Sequence, residues 1–267
     1  MTKGIVNALI GILVKEQRLS VKNPAPVPEW QETADPRQGI TLEHLLHMTT
    51  GLRFNEDPGN PLSDVTYMLL RVADTAGYAA SKPLVSTPGI QWSYSSGNTN
   101  ILARVIRHTL GDQEYYEFPR RALFDPLGMK SAVIETDPSG TFVGSSLMYA
   151  SARDWARFGL LYLYDGIWEG ERLLPEGWVR YTRTAASAAP NQKYGALFWL
   201  KVPDEYRGVN SGASLPQDAF HAVGYEGQFV TIIPSKDLVI VRLGLTRDPK
   251  AWDHQAFVNL VIASISQ

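Results

Sequence analysis

From Gly4 to Val14 the chain is strongly apolar, and the run stops abruptly at the charged turn Lys15-Glu16-Gln17-Arg18. A lysine ahead of an apolar run is also the outline of a secretory leader. No small-x-small cleavage pattern follows, however, and a buried helix ending in a charged, exposed turn accounts for the whole stretch. Gly4, Ala8 and Gly11 recur at helical spacing, which predicts close approach of a neighbouring element along one face. The first element is therefore expected to be a core helix.

Asn23-Pro24-Ala25-Pro26-Val27-Pro28 breaks that helix, and helical periodicity resumes after Gly39 over residues 40–48, ending at Thr49-Thr50-Gly51-Leu52. To about residue 190 the pattern stays mostly helical, with amphipathic segments at residues 98–108, 115–123 and 152–163. Strand signals gather near the end, at residues 194–201, 219–223, 229–233 and 238–243, with Pro234-Ser235-Lys236-Asp237 joining the last two as a hairpin. A final helix is expected over residues 252–265. This order implies an α+β fold: an antiparallel sheet flanked by helices, with a mostly helical insertion. In domain terms, residues 1–18 form the central helix of the α/β body, 19–190 the helical region, and 191–267 the sheet with its closing helix.

The 267 residues carry 25 basic and 27 acidic side chains, so a net charge of -2 gives no electrostatic reason to expect nucleic acid or an anionic membrane as partner. No apolar run is long enough to span a bilayer. The absence of cysteine excludes disulfides, thiolate metal sites and a cysteine nucleophile, and it suits cytoplasm and periplasm alike.

Three short stretches carry candidate chemistry. Met1-Thr2-Lys3-Gly4 reads as the last three-quarters of a Ser-x-x-Lys motif whose serine would stand one residue before Met1. A serine and a lysine three apart on a helix share a face, where the amine can take the hydroxyl proton; taken alone, Lys3 reads more readily as an ordinary solvated lysine. In Trp92-Ser93-Tyr94-Ser95-Ser96-Gly97-Asn98, Tyr94 and Ser96 can face one site, and a phenol relays protons best beside a positive charge. The competing reading is a turn in which Ser95 and Ser96 cap the following helix. In His221-Ala222-Val223-Gly224-Tyr225-Glu226-Gly227-Gln228, Gly224 lets the main chain pass close to a bound carbonyl, with the Tyr225 N–H as an oxyanion donor. A bulge or tight turn would leave the same pattern.

Met1-Thr2-Lys3, Tyr94-Ser95-Ser96 and Ala222-Val223-Gly224, in this order, resemble the three motifs of the serine β-lactamase-like superfamily, which includes penicillin-binding proteins and class C β-lactamases. The likeness is greatest to its esterase and amidase branch, including 6-aminohexanoate-dimer hydrolase-like enzymes. It extends through Ile40-Thr41-Leu42-Glu43-His44-Leu45-Leu46-His47-Met48-Thr49-Thr50-Gly51-Leu52, Asp125-Pro126-Leu127-Gly128-Met129 and Ser151-Ala152-Arg153-Asp154-Trp155-Ala156-Arg157-Phe158-Gly159-Leu160-Leu161.

The resemblance implies a serine hydrolase acting through an acyl-serine on a small-molecule substrate, with Lys3, Tyr94 and Ser96 as catalytic residues and Gly224-Tyr225 as the oxyanion strand. It implies neither metal nor organic cofactor. His221 is a candidate substrate contact with packing as its other reading, and His44, His47, His108 and His254 read as structural or surface residues. Trp92, Tyr194, Phe198 and Trp199 read either as an apolar acyl pocket or as core.

Two departures shape the expectation. Ala222-Val223-Gly224 stands where β-lactam-recognising members carry Lys-Thr-Gly, so no cation on this strand holds a carboxylate, and neutral esters or amides are favoured over β-lactams or peptidoglycan. Family members also have strands before the nucleophile that pair with the C-terminal sheet. Here they are missing ahead of Met1, so an incomplete sheet with an unpaired edge is expected. The sequence is accordingly read as the larger C-terminal part of such a hydrolase.

Overall fold

The computed structural model describes residues 1–32, 34–208 and 212–265. The opening apolar run forms α1 (Thr2–Lys15), in which Thr2 and every residue from Gly4 to Leu13 are buried. The small residues act as their spacing predicts: a methyl group at Gly4 would stand 3.0 Å from the Phe198 ring, and one at Gly11 would stand 2.6 Å from the Trp178 indole. Asn7 is a polar residue in the buried middle of this helix. Its Oδ1 accepts from the Tyr162 hydroxyl at 2.5 Å and from Trp178 Nε1 at 2.9 Å, while its Nδ2 donates to the Ala196 carbonyl at 2.9 Å. A single amide thereby ties α1 to two later helices and a loop.

The middle of the chain carries α2 (Leu42–Leu46), α3 (Asp64–Arg71), α4 (Thr75–Ala80), α5 (Ser96–Leu110), α6 (Asp112–Tyr115), α7 (Ala152–Leu163) and α8 (Trp178–Thr182). Thr41 and His44 cap the start of α2 reciprocally. The expected helix at 115–123 is not continuous. Helix α6 ends at Tyr115 and a separate π-type turn spans Arg120–Phe124, because Pro119 lacks an N–H to carry the ladder through. Two miniature antiparallel pairs also interrupt the helical region: β1 (Val133–Ile134) with β2 (Met148–Tyr149), and β3 (Ile167–Trp168) with β4 (Glu171–Arg172). Two-residue strands are too short to show a period-2 signal.

The C-terminal part forms an antiparallel sheet in the order β5 (Phe220–Gly224), β6 (Gln228–Ile233), β7 (Leu238–Arg242), closed by α9 (His254–Ile265). The expected turn at 234–237 joins β6 to β7, with Asp237 at φ 46°. Residues 194–201 are not a strand of this sheet. Leu197 sits at φ 60° and the chain doubles back, so that Tyr194 bridges Trp199, and only Trp199 reaches β5, at His221. Among the described residues β7 pairs with β6 alone. No described helix is long and apolar enough to cross a membrane.

The sheet lies between helices. Phe220, Ala222, Val230 and Ile232 belong to the same core as α1 and α7, and a methyl group on Gly159 of α7 would meet Val239 at 2.5 Å. On the other face α9 stacks His254 on Phe229, ring centroids 3.6 Å apart, and packs Val258 with Ile233 and Ile240. Strand alternation sends His221 to this second face. There His221 Nδ1 meets Thr231 Oγ1 at 2.9 Å, and Thr231 Oγ1 meets His254 Nε2 at 2.8 Å.

Asn7→Ala would leave the Trp178 indole N–H and the Tyr162 hydroxyl buried without their partner, costing about 3 kcal/mol. Differential scanning calorimetry should show Tm lowered by about 5–10 °C; an unchanged Tm would refute the central role of this amide.

The histidine pair makes a second prediction. Burial pushes His221 down to about 3, and burial with the His221 and Arg242 charges pushes His254 down to about 2. In the unfolded chain each imidazole titrates near 6.5. Below that pH the unfolded state binds more protons, so the stability present above about 6.5 is lost as pH falls toward the native values, at up to about 1.4 kcal/mol per pH unit for each ring. Urea midpoints should therefore decline between about pH 6.5 and 5, above the range where carboxylates titrate. A midpoint that stays flat across that window rules out a buried neutral pair.

Candidate active site

The N-terminus of α1 abuts the C-terminal end of β5. The Met1 nitrogen donates to the Val223 carbonyl at 2.8 Å, and a methyl group on Gly224 would lie 3.3 Å from that nitrogen, so the bare glycine lets the helix start approach the strand. Burial and the neighbouring Lys3 charge push the Met1 amine down to about 4.

Within the first turn of α1, Lys3 points out of the buried stretch. Its Nζ donates to Ser96 Oγ at 3.2 Å and to the Ser145 carbonyl at 3.2 Å, and it lies 5.0 Å from the centroid of the Tyr94 ring. Lysine, tyrosine and serine therefore lie together. Ser95 caps α5 by accepting from the Asn98 N–H, while Ser96, the first helical residue, is directed to the cluster. The two serines thus divide the roles between which the sequence left the choice open.

Two contributors lie outside the three motifs. Ser145 stands on a loop wedged between α1 and α5: a methyl group on Gly144 would meet Val6 at 2.9 Å and Ala103 at 3.0 Å, and Asn100 of α5 accepts from the Ser145 N–H at 2.9 Å. Glu56 stands on the loop before α3. Its Oε1 accepts from Ser96 Oγ at 2.5 Å and its Oε2 accepts from the Ser96 N–H at 2.7 Å. The sequence signal for Glu56 is faint, a lone acidic residue in a polar loop. Gly97 supplies the space, since a methyl group there would lie 2.8 Å from both the Phe54 ring and Ala79.

Beside Tyr94 stands an aromatic group. Tyr194 and Trp199 lie 5.6 and 5.5 Å from its ring, and Trp92 lies 5.7 Å from Tyr194. Phe198 is not part of it; it is fully buried among Phe158, Tyr162 and Phe220. Burial pushes the Tyr194 phenol well above its ordinary range, with the charges of Tyr94 and Glu56 adding to the effect.

His221 does not join the site. It is 1% exposed and faces α9, because alternation along β5 places it opposite the face that meets α1. Tyr225 follows Gly224 at the strand end, with its side chain 68% exposed. Among the described residues no cluster of three or more histidine, aspartate or glutamate side chains is placed to hold a metal ion.

The sequence profile of the family described as Beta-lactamase matches residues 1–259. The chain belongs to the beta-lactamase family. Within it, the chain is 26% identical to the 6-aminohexanoate-dimer hydrolase of Paenarthrobacter ureafaciens, in an alignment taking in all of this chain and 70% of that protein. Among solved structures, a penicillin-binding protein homologue from Caulobacter crescentus superposes with a TM-score of 0.73 at 17% identity, covering 100% of this chain and 82% of that one. A D-stereospecific amidohydrolase from Streptomyces does so with a TM-score of 0.66 at 16% identity, covering 90% of this chain and 78% of that one. These likenesses establish a beta-lactamase-family α+β fold for the chain.

Proposed function

We propose that this chain forms the catalytic body of a serine hydrolase that cleaves a carboxylic ester or a small amide through an acyl-serine, the serine being joined directly to the Met1 nitrogen. The observation that carries the reading is the contact of Lys3 Nζ with Ser96 Oγ, alongside the Tyr94 ring, at the one place where α1 meets the end of β5.

In this mechanism the serine hydroxyl gives its proton to the Lys3 side chain, acting as general base, as its oxygen bonds to the substrate carbonyl carbon. The resulting oxyanion is held by main-chain N–H groups, that of Tyr225 and that of the serine. Collapse breaks the bond to the leaving group, which takes a proton through Tyr94, and water then releases the acyl group by the reverse proton path. Ala222-Val223-Gly224 offers no cation for a substrate carboxylate, which favours neutral acyl groups over β-lactams. The names of two similar proteins, a 6-aminohexanoate-dimer hydrolase and a D-stereospecific amidohydrolase, support hydrolysis of a small amide.

The chain carrying serine before Met1 should react covalently with a fluorophosphonate, as read by intact-mass spectrometry. Lys3→Ala should slow labelling by about 10²-fold or more and Tyr94→Phe by about tenfold or more, the range of a lost general acid or base. Labelling that neither substitution changes would reject the assigned roles, and no labelling at all would favour a binding protein that keeps the cleft. Turnover of a chromogenic cephalosporin faster than that of a p-nitrophenyl ester would overturn the substrate preference.

A further inference from the structure

We infer that Glu56 is a positioning residue that sets the hydrogen-bond polarity of Ser96 and thereby aims the lone pair of the Lys3 amine. The inference rests on the reading of Lys3 as the base. It starts from counting donors and acceptors around one nitrogen. A neutral lysine amine has two N–H donors and one lone pair, disposed tetrahedrally. The Ser145 carbonyl can only accept, so it takes one N–H. A serine hydroxyl can accept or donate, and if Ser96 donated to Lys3 it would occupy the lone pair that the base needs.

Glu56 removes that ambiguity. The Ser96 hydroxyl proton is directed at Glu56 Oε1 at 2.5 Å, which leaves Ser96 Oγ with only lone pairs toward Lys3. The second amine N–H is then taken by Ser96. With both N–H groups spent on Ser96 and Ser145, the lone pair faces the remaining tetrahedral direction, away from these two acceptors. The other carboxylate oxygen accepts from the Ser96 N–H at 2.7 Å, so two bonds to one residue hold the carboxylate in place, and the first turn of α5 favours the negative charge.

The loop carrying Glu56 is itself tied down: Asp64 Oδ2 accepts from the Asn55 N–H at 2.8 Å, and the Phe54 ring fills the space beside Gly97. Helix capping alone does not call for this arrangement, because Ser95 already caps α5. Glu56 touches neither the reacting atoms nor the amine; it acts through a hydroxyl.

Two measurements test the inference independently of each other. In the first, the Lys3 amine of the chain itself is modified with acetic anhydride and followed by peptide mass spectrometry against the exposed Lys201 in the same sample. In Glu56→Gln the single amide oxygen accepts from the Ser96 N–H and the NH2 donates to Ser96 Oγ, which turns the hydroxyl proton toward the Lys3 lone pair, so relative modification of Lys3 should fall about threefold or more. This readout needs no serine nucleophile, so it holds or fails whether or not the hydrolase reading stands. In the second, fluorophosphonate labelling of the chain carrying serine before Met1 is compared in a double-substitution cycle. Glu56→Gln and Ser96→Ala should each slow labelling about tenfold, and Glu56→Gln should add little in the Ser96→Ala background, because the carboxylate acts through the hydroxyl. Ser96→Thr, which keeps a hydroxyl, should recover most of the rate lost in Ser96→Ala. Lys3 modification unchanged by Glu56→Gln would overturn the inference. So would a full tenfold effect of Glu56→Gln in the Ser96→Ala background, which would mark a structural role of the loop.

Discussion

The burial of α1 on every side is the constraint from which the rest follows. Between Thr2 and Leu13 only Lys3 escapes burial, and the helix has no freedom to rotate or slide. Rotation would drive Gly4 and Gly11 away from the Phe198 and Trp178 rings they admit and put larger side chains in their place. Sliding would break the Asn7 amide from three partners at once. A lysine on so fixed a helix has its Cα placed by the whole core, and only its flexible stem remains to be ordered by Ser96 and Ser145.

Helix α5 supplies Ser96 and loops supply the rest of the cluster, those of Ser145 and Glu56 each anchored by a specific device. The loop of Ser145 is held by Gly144 between two helices and by Asn100; that of Glu56 by Asp64 and by the space at Gly97. Glycine matters at these points for what it leaves out, since a single methyl group would push apart surfaces that must touch. The site is thus built at the junction of the sheet, the first helix and the helical region, where no one element holds more than part of it.

The far side of the sheet contributes rigidity. His221, Thr231 and His254 form a buried line of hydrogen bonds under α9, on the face opposite the Lys3 cluster. Two neutral imidazoles there satisfy a threonine hydroxyl and support the strand whose end receives α1. A histidine two residues from the glycine of the strand motif is an attractive substrate contact on paper. The pleat sends it the other way.

The sequence by itself determined what depends on local period and on residue type at close spacing. The burial of α1, the β6–β7 hairpin and the closing helix were readable, because each is encoded within one turn, one strand or one short motif; the nearness of Lys3 and Ser96, 93 positions apart, was expected only through the resemblance to a family's motifs. The division between Ser95 as cap and Ser96 as cluster member, the turn at Leu197 that broke the expected strand over 194–201, and the departure of His221 from the site needed the tertiary structure. So did Glu56, whose contact with Ser96 joins positions 40 residues apart. Such pairings follow from how the packed elements stack, and hydrogen-bond polarity around a shared hydroxyl exists only once its neighbours are in place.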